Sequence, residues 1–161
     1  MADETTKMVV ELSCPIQTNF LRHIRLFIVQ LVKDAGFCEY EVAQIEMAVD
    51  EACSNIIEHA YEDVRDLKEE QKKVFLKIEI LTNGIKIVVG DKGKGMSPHH
   101  IHRTRNLQEY TVSNKPRGLG TYIITNFMDD VLFHTEDGEG TTIEMIKYLR
   151  KNNGVARSGL K

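Results

Sequence analysis

Residues 74–90, VFLKIEILTNGIKIVVG, decide the architecture. Val74, Leu76, Ile78 and Ile80 alternate with Phe75, Lys77 and Glu79, the two-residue period of a strand buried on one face. Asn83-Gly84 is a strong short hairpin signal, because both central residues of a type I′ turn need positive φ. Residues 85–90, IKIVVG, then return as the partner strand. Two strands joined this tightly are antiparallel, so the sheet is built from hairpins and not from parallel crossovers.

Working outward, residues 8–13 (MVVELS) read as a further short strand. Over 16–35 the apolar residues Phe20, Ile24, Phe27, Ile28 and Leu31 recur at helical spacing, and Gly36 closes the helix. A second helix is predicted over 40–62, with Val42, Ile45, Val49, Ala52, Ile56 and Ala60 as its apolar stripe. Residues 62–73 are a solvated connection. Residues 92–117 hold no sustained period and two of the three prolines, and read as a lid. A helix over 118–128 and strands over 130–135 and 141–148 follow, around the turn EDGEG. The expected fold is a two-layer α/β sandwich: a mixed, mainly antiparallel sheet covered on one face by helices. Residues 1–150 form one domain, and 151–161 are expected to be a disordered tail.

Composition narrows the function classes. In 161 residues, 42% are hydrophobic and 28% charged, which is globular rather than disordered. A net charge of −3 argues against direct nucleic-acid binding. Cys14, Cys38 and Cys53 are odd in number and show no CxxC or Cys/His spacing, so they read as reduced thiols. Nothing approaches the ~20 apolar residues of a membrane span. The expectation is a soluble cytoplasmic protein without membrane contact.

Three short segments concentrate the chemistry. On the second helix Glu51 and Asn55 lie one turn apart, with Glu58 and Glu62 in the same arc, opposite the apolar stripe. Alone, such a pair is an ordinary wet helix face. Facing a nucleotide, the Asn55 carbonyl oxygen is a hard ligand for Mg²⁺, and the Glu51 carboxylate can take a proton from a nucleophile. Asp50 points about 100° away from this arc. Asp91 stands at a strand exit with Gly93 and Gly95, where glycine permits unusual backbone and close approach. It can accept a hydrogen bond from an exocyclic amine such as adenine N6, although DKGKG reads equally well as a tight polar turn. Gly118-Leu119-Gly120 opens a helix whose free N–H groups suit an anion. The preceding loop carries Lys92, Lys94, Arg103, Arg105, Lys115 and Arg117 against Glu109, a basic cover suited to phosphate. His99, His100 and His102 have no partner cluster and are assigned no metal. Phosphate-loop, Rossmann, eukaryotic protein kinase and nucleophile-elbow signatures are all missing from the sequence.

With EACSN, DKGKG and GLG in this order, the chain resembles the GHKL ATPase superfamily. Within it the chain is most similar to the bacterial anti-sigma factor serine kinases of sporulation and stress-response switches. The likeness covers residues 8–149 and includes EACSNIIEHAY, GLGTYIITNFMDDV and GTTIEM. The resemblance implies a Bergerat-type ATP-binding fold, with ATP and Mg as cofactors. It implies Glu51 as general base, Asn55 as Mg²⁺ ligand and Asp91 as the adenine-binding carboxylate. Gly93, Gly95, Gly118 and Gly120 would be lid hinges and phosphate-facing backbone, and Thr142 would lie near the adenine. Arg117 is placed among the ATP-binding residues, although Pro116-Arg117 departs from the family pattern. Arg22 matches a partner-contacting arginine. The implied partners are an anti-sigma factor antagonist, phosphorylated on serine, and a sigma factor, sequestered by a homodimer.

Three function classes follow: a serine protein kinase, an anti-sigma module that binds ATP without transferring phosphate, and a detached histidine kinase catalytic domain. No dimerising phospho-acceptor helix pair precedes the domain in this sequence, which disfavours the third. An intact Glu51/Asn55 pair permits transfer and leaves the second open.

Overall fold

The computed structural model describes residues 5–59, 61, 68, 72–93, 119–136 and 140–150. In chain order these hold β1 (Thr6–Pro15), α1 (Thr18–Asp34), α2 (Glu39–His59), β2 (Lys73–Leu81), β3 (Gly84–Asp91), α3 (Leu119–Phe127), β4 (Asp130–Glu136) and β5 (Gly140–Tyr148). The five strands form one sheet in the order β1-β2-β3-β5-β4, and every adjacent pair is antiparallel.

Strand alternation gives the sheet one apolar face. Register places Val10, Leu12 and Cys14 of β1 beside Ile78, Leu76 and Val74 of β2. Those in turn face Ile87, Val89 and Asp91 of β3, and the stripe continues through Met145 and Ile143 of β5. The helices cover this face. α2 is the central one and packs against both α1 and α3. Its Ile45, Ala48, Val49, Ala52 and Ile56 are buried, as are Ile24, Ile28 and Val32 of α1 and Ile124 of α3. Burial of apolar area on this scale is what holds a two-layer domain together.

Helix ends are set by local chemistry. Gly36 has φ +95°, its N–H reaches the Lys33 carbonyl at 3.0 Å, and the Phe37 N–H reaches Val32 at 3.4 Å. That is a Schellman ending with Val32 and Phe37 both buried across it. At the start of α2 the Glu41 carboxylate accepts the Cys38 N–H at 3.0 Å, the returning half of a capping box.

The hairpin exists, but its turn is not the type I′ turn expected from Asn83-Gly84. Among the described residues only Gly36 and Gly140 have positive φ. The β2–β3 connection is Thr82-Asn83, and Gly84 already belongs to β3, paired with Tyr148. Neighbouring chain shapes this turn. The Thr82 N–H and hydroxyl both donate to the Thr5 carbonyl, at 3.1 and 2.9 Å, and the Leu149 N–H donates to Asn83 at 2.8 Å. Gly84 is required for a different reason: a Cβ there would run into the Lys147 carbonyl oxygen.

The predicted lid over 92–117 lies outside the described residues apart from Lys92 and Gly93, and so does the 151–161 tail. Cys14, Cys38 and Cys53 are free thiols, and burial pushes Cys53 up to about 12. No described helix is long and apolar enough to cross a membrane.

Candidate functional site

α2 carries Glu51 and Asn55 on the side that meets the first turn of α3. The geometry is read most directly at Gly120. A Cβ built there would lie 2.5 Å from Glu51 Oε2 and 3.4 Å from Asn55 Nδ2. The glycine therefore provides room for a carboxylate and a carboxamide beside a helix N-terminus, where free backbone N–H groups favour an anion. Two segments 65 positions apart (Asn55 and Gly120) thus form one site.

Glu51 is half-buried, and its carboxyl is raised above the ordinary carboxylate range, first by desolvation and then by the charges of Asp50 and Glu58. A raised carboxylate is a better base near neutral pH. Asp50 turns the other way, where its Oδ1 accepts the Arg25 guanidinium of α1 at 2.6 Å, and Glu46 lies 3.7 Å from the same side chain.

Asp91 ends β3 on the helix-covered face and is only 6% exposed. Its Oδ1 accepts the Gly93 N–H at 2.6 Å and its Oδ2 the Thr141 N–H at 3.1 Å. Burial raises its pKa while these two backbone bonds lower it, with a net rise. Two carboxylate oxygens offer about four acceptor sites. Among the described residues only these two donors reach it, which leaves acceptor capacity for a ligand donor. Gly140 completes the cradle: it has φ +92°, and a Cβ there would strike the Asp91 carbonyl and come within 3.1 Å of Oδ1.

Thr142 is not part of this cradle. It pairs with Gly90, and a Cβ on Gly90 would meet the Thr142 hydroxyl at 3.2 Å, so both face away from Asp91. Thr141 is the residue at the carboxylate. Alternation within GTTIEM carries the signal, since Thr141 shares its face with the buried Ile143 and Met145 and Thr142 shares its face with Glu144. Gly140 and Tyr61 are two further contributors missed by sequence reasoning. Tyr61 is buried, and its hydroxyl accepts the Lys92 N–H at 3.3 Å, which brings the chain beyond α2 to the exit of β3.

Among the other candidates, Gly93 is buried beside Asp91 and Arg22 is exposed on α1. Gly95, Arg117, Gly118, Glu62, His99, His100 and His102 lie outside the described residues. No group of three or more His, Cys, Asp or Glu converges among the described residues. A metal ion at this site would draw its protein oxygen from Asn55 and the remainder from ligand and water, a donor set that suits Mg²⁺.

Comparison with known proteins gives an independent view. Residues 14–147 match the family described as the histidine kinase-like ATPase domain. The serine-protein kinase RsbW of Bacillus thuringiensis (strain Al Hakam) is 29% identical over 149 residues, spanning 88% of this chain and 86% of that one. RsbW of Bacillus cereus (strain ATCC 10987 / NRS 248) is 28% identical over the same length. In three dimensions the chain superposes on a chain of the SiaB–SiaC complex from Pseudomonas aeruginosa with TM-score 0.60 and 12% identity, covering 85% of this chain and 88% of that one. It superposes on the RsbU and RsbW domains of a Mycobacterium tuberculosis protein with TM-score 0.59 and 15% identity, covering 88% of this chain and 32% of that one. The chain therefore spans about a third of that two-domain chain. At these identities the two structures attest to the shared fold.

Proposed function

Because the chain belongs to the histidine kinase-like ATPase domain family, we propose that it binds Mg·ATP and transfers the γ-phosphoryl group to a serine of a partner protein. The observation that carries this reading is the convergence at Gly120, where Glu51 and Asn55 meet the N-terminus of α3. The relatives named as serine-protein kinases support serine as the acceptor.

In this reading Asp91 accepts the adenine amine, and the first turn of α3 faces the phosphates. Asn55 would hold Mg²⁺, and a bound ion would supply positive charge beside the phosphates. Glu51 takes the proton of the serine hydroxyl while the serine oxygen bonds to the γ-phosphorus and the β–γ bridging oxygen leaves with ADP. Gly95, Arg117 and Gly118 are proposed to complete the phosphate side, and Arg22 to contact the partner.

The partner is proposed to be an anti-sigma factor antagonist. A sigma factor would be held by the same chain when the antagonist is phosphorylated, in a cytoplasmic homodimer. These finer assignments rest on the likeness to the anti-sigma serine kinases. The test is to incubate the protein with Mg·ATP and a candidate antagonist and measure the intact mass of the antagonist. Addition of one phosphoryl group on serine is the expected result. A protein that binds ATP and sigma factor yet phosphorylates no antagonist would be the non-catalytic module instead.

A further inference from the structure

The β2–β3 ladder runs from Ile80↔Ile85 to Val74↔Asp91 and stops there. Lys73 and Lys92 are the next residues in that register. Between them stands the hydroxyl of Tyr61, 5% exposed and just beyond the end of α2. It donates to the Lys73 carbonyl at 3.0 Å and accepts the N–H groups of Lys73 and Lys92, each at 3.3 Å. A phenolic oxygen has one proton to give and two lone pairs to accept with. All three are used.

This bridge has a consequence for Asp91. With Lys92 held by a side chain instead of by β2, the backbone is free to turn, and the next N–H, that of Gly93, returns to Asp91 Oδ1 at 2.6 Å. The other oxygen is fixed from β5 by Thr141 at 3.1 Å. One of the two bonds that orient the carboxylate therefore depends on where Tyr61 holds Lys92. We propose that Tyr61 is a positioning residue for base recognition: its hydroxyl ends the ladder at Asp91 and sets the carboxylate for an adenine amine. The proposal rests on the reading above in which Asp91 recognises adenine.

A hydroxyl that merely satisfied backbone groups at a sheet end would contribute stability and leave base selection alone. The test is therefore the ratio of two affinities. Calorimetry with Mg·ADP and Mg·GDP is run on the unmutated full chain, on Tyr61→Phe and on Val74→Ala, a destabilised control that keeps the hydroxyl. Tyr61→Phe is expected to weaken ADP about tenfold, the factor carried by one hydrogen bond of ordinary strength, with GDP little changed. Val74→Ala is expected to leave the ADP-to-GDP ratio as it was. Lys92→Pro removes the same hydrogen bond from its other end and is expected to narrow the ratio likewise, so the proposal stays testable should Tyr61→Phe fail to fold. An unchanged ratio in Tyr61→Phe, or in Lys92→Pro where only that variant folds, overturns the positioning role. Failure of the unmutated protein to bind ADP overturns the nucleotide reading itself, and shows before any substitution is made.

Discussion

Glu51 and Gly120 constrain each other. A methyl at position 120 would meet Glu51 Oε2 at 2.5 Å, but that oxygen is the far end of a flexible side chain and can swing aside. Gly120→Ala is therefore expected to fold with near-normal stability, checked by thermal melting, while displacing the proposed base. Misplacement of a reacting group by an ångström costs about a hundredfold in rate, and initial rates of phosphoryl transfer should fall by that order. In the proposed mechanism the same carboxylate sets a pH dependence. Burial, then Asp50 and Glu58, raise its pKa, and a general base works only when deprotonated. Activity should thus be lost, as pH falls, at a higher pH than an exposed glutamate would give. Removing one acidic neighbour with Glu58→Gln should move that acid limb to lower pH in a rate–pH profile. An unmoved limb would mean that another group titrates.

At the scale of elements, α3 is short, and its far end is anchored by Lys147 of β5, which is 2% exposed. The Lys147 ammonium donates to the last carbonyl of the helix, at Phe127, at 2.6 Å and lies 3.5 Å from Asp129 Oδ1. A cation there complements the negative end of the helix dipole. Lys147→Met keeps the length but leaves that carbonyl without its charged donor, and urea unfolding should show a loss of about 2 kcal/mol. Sequence periodicity found every described strand and helix within a few residues, because alternation and the 3.6-residue stripe are local consequences of one buried face. It missed what depends on register. The Asn83-Gly84 turn failed because Thr5, Lys147 and Leu149, all distant in sequence, shape the connection. The resemblance implies Thr142 beside the adenine, whereas the register puts Thr141, on the face of Ile143, at the Asp91 carboxylate. Lys147 shows a similar limit: a lysine among core positions explains itself only once α3 lies above it.

On the scale of the whole molecule, one helix layer on one antiparallel sheet gathers three distant segments at one end. The C-terminal half of α2 meets the start of α3 through Gly120, and the chain beyond α2 reaches the β3 exit through Tyr61. That convergence is why a Glu/Asn pair, unremarkable on an isolated helix, becomes a candidate catalytic site. In the proposed mechanism Glu51 moves the proton and Asn55 holds the metal. Single-turnover phosphorylation of the proposed antagonist protein, run beside ATP-binding measurements on the same preparations, separates the two roles. Glu51→Gln keeps size and hydrogen bonding but cannot take a proton near neutral pH. Transfer should fall ~10²–10⁴-fold while ATP affinity changes little. Asn55→Ala should lose Mg-dependent binding and transfer together. Transfer at an undiminished rate by Glu51→Gln would contradict the account.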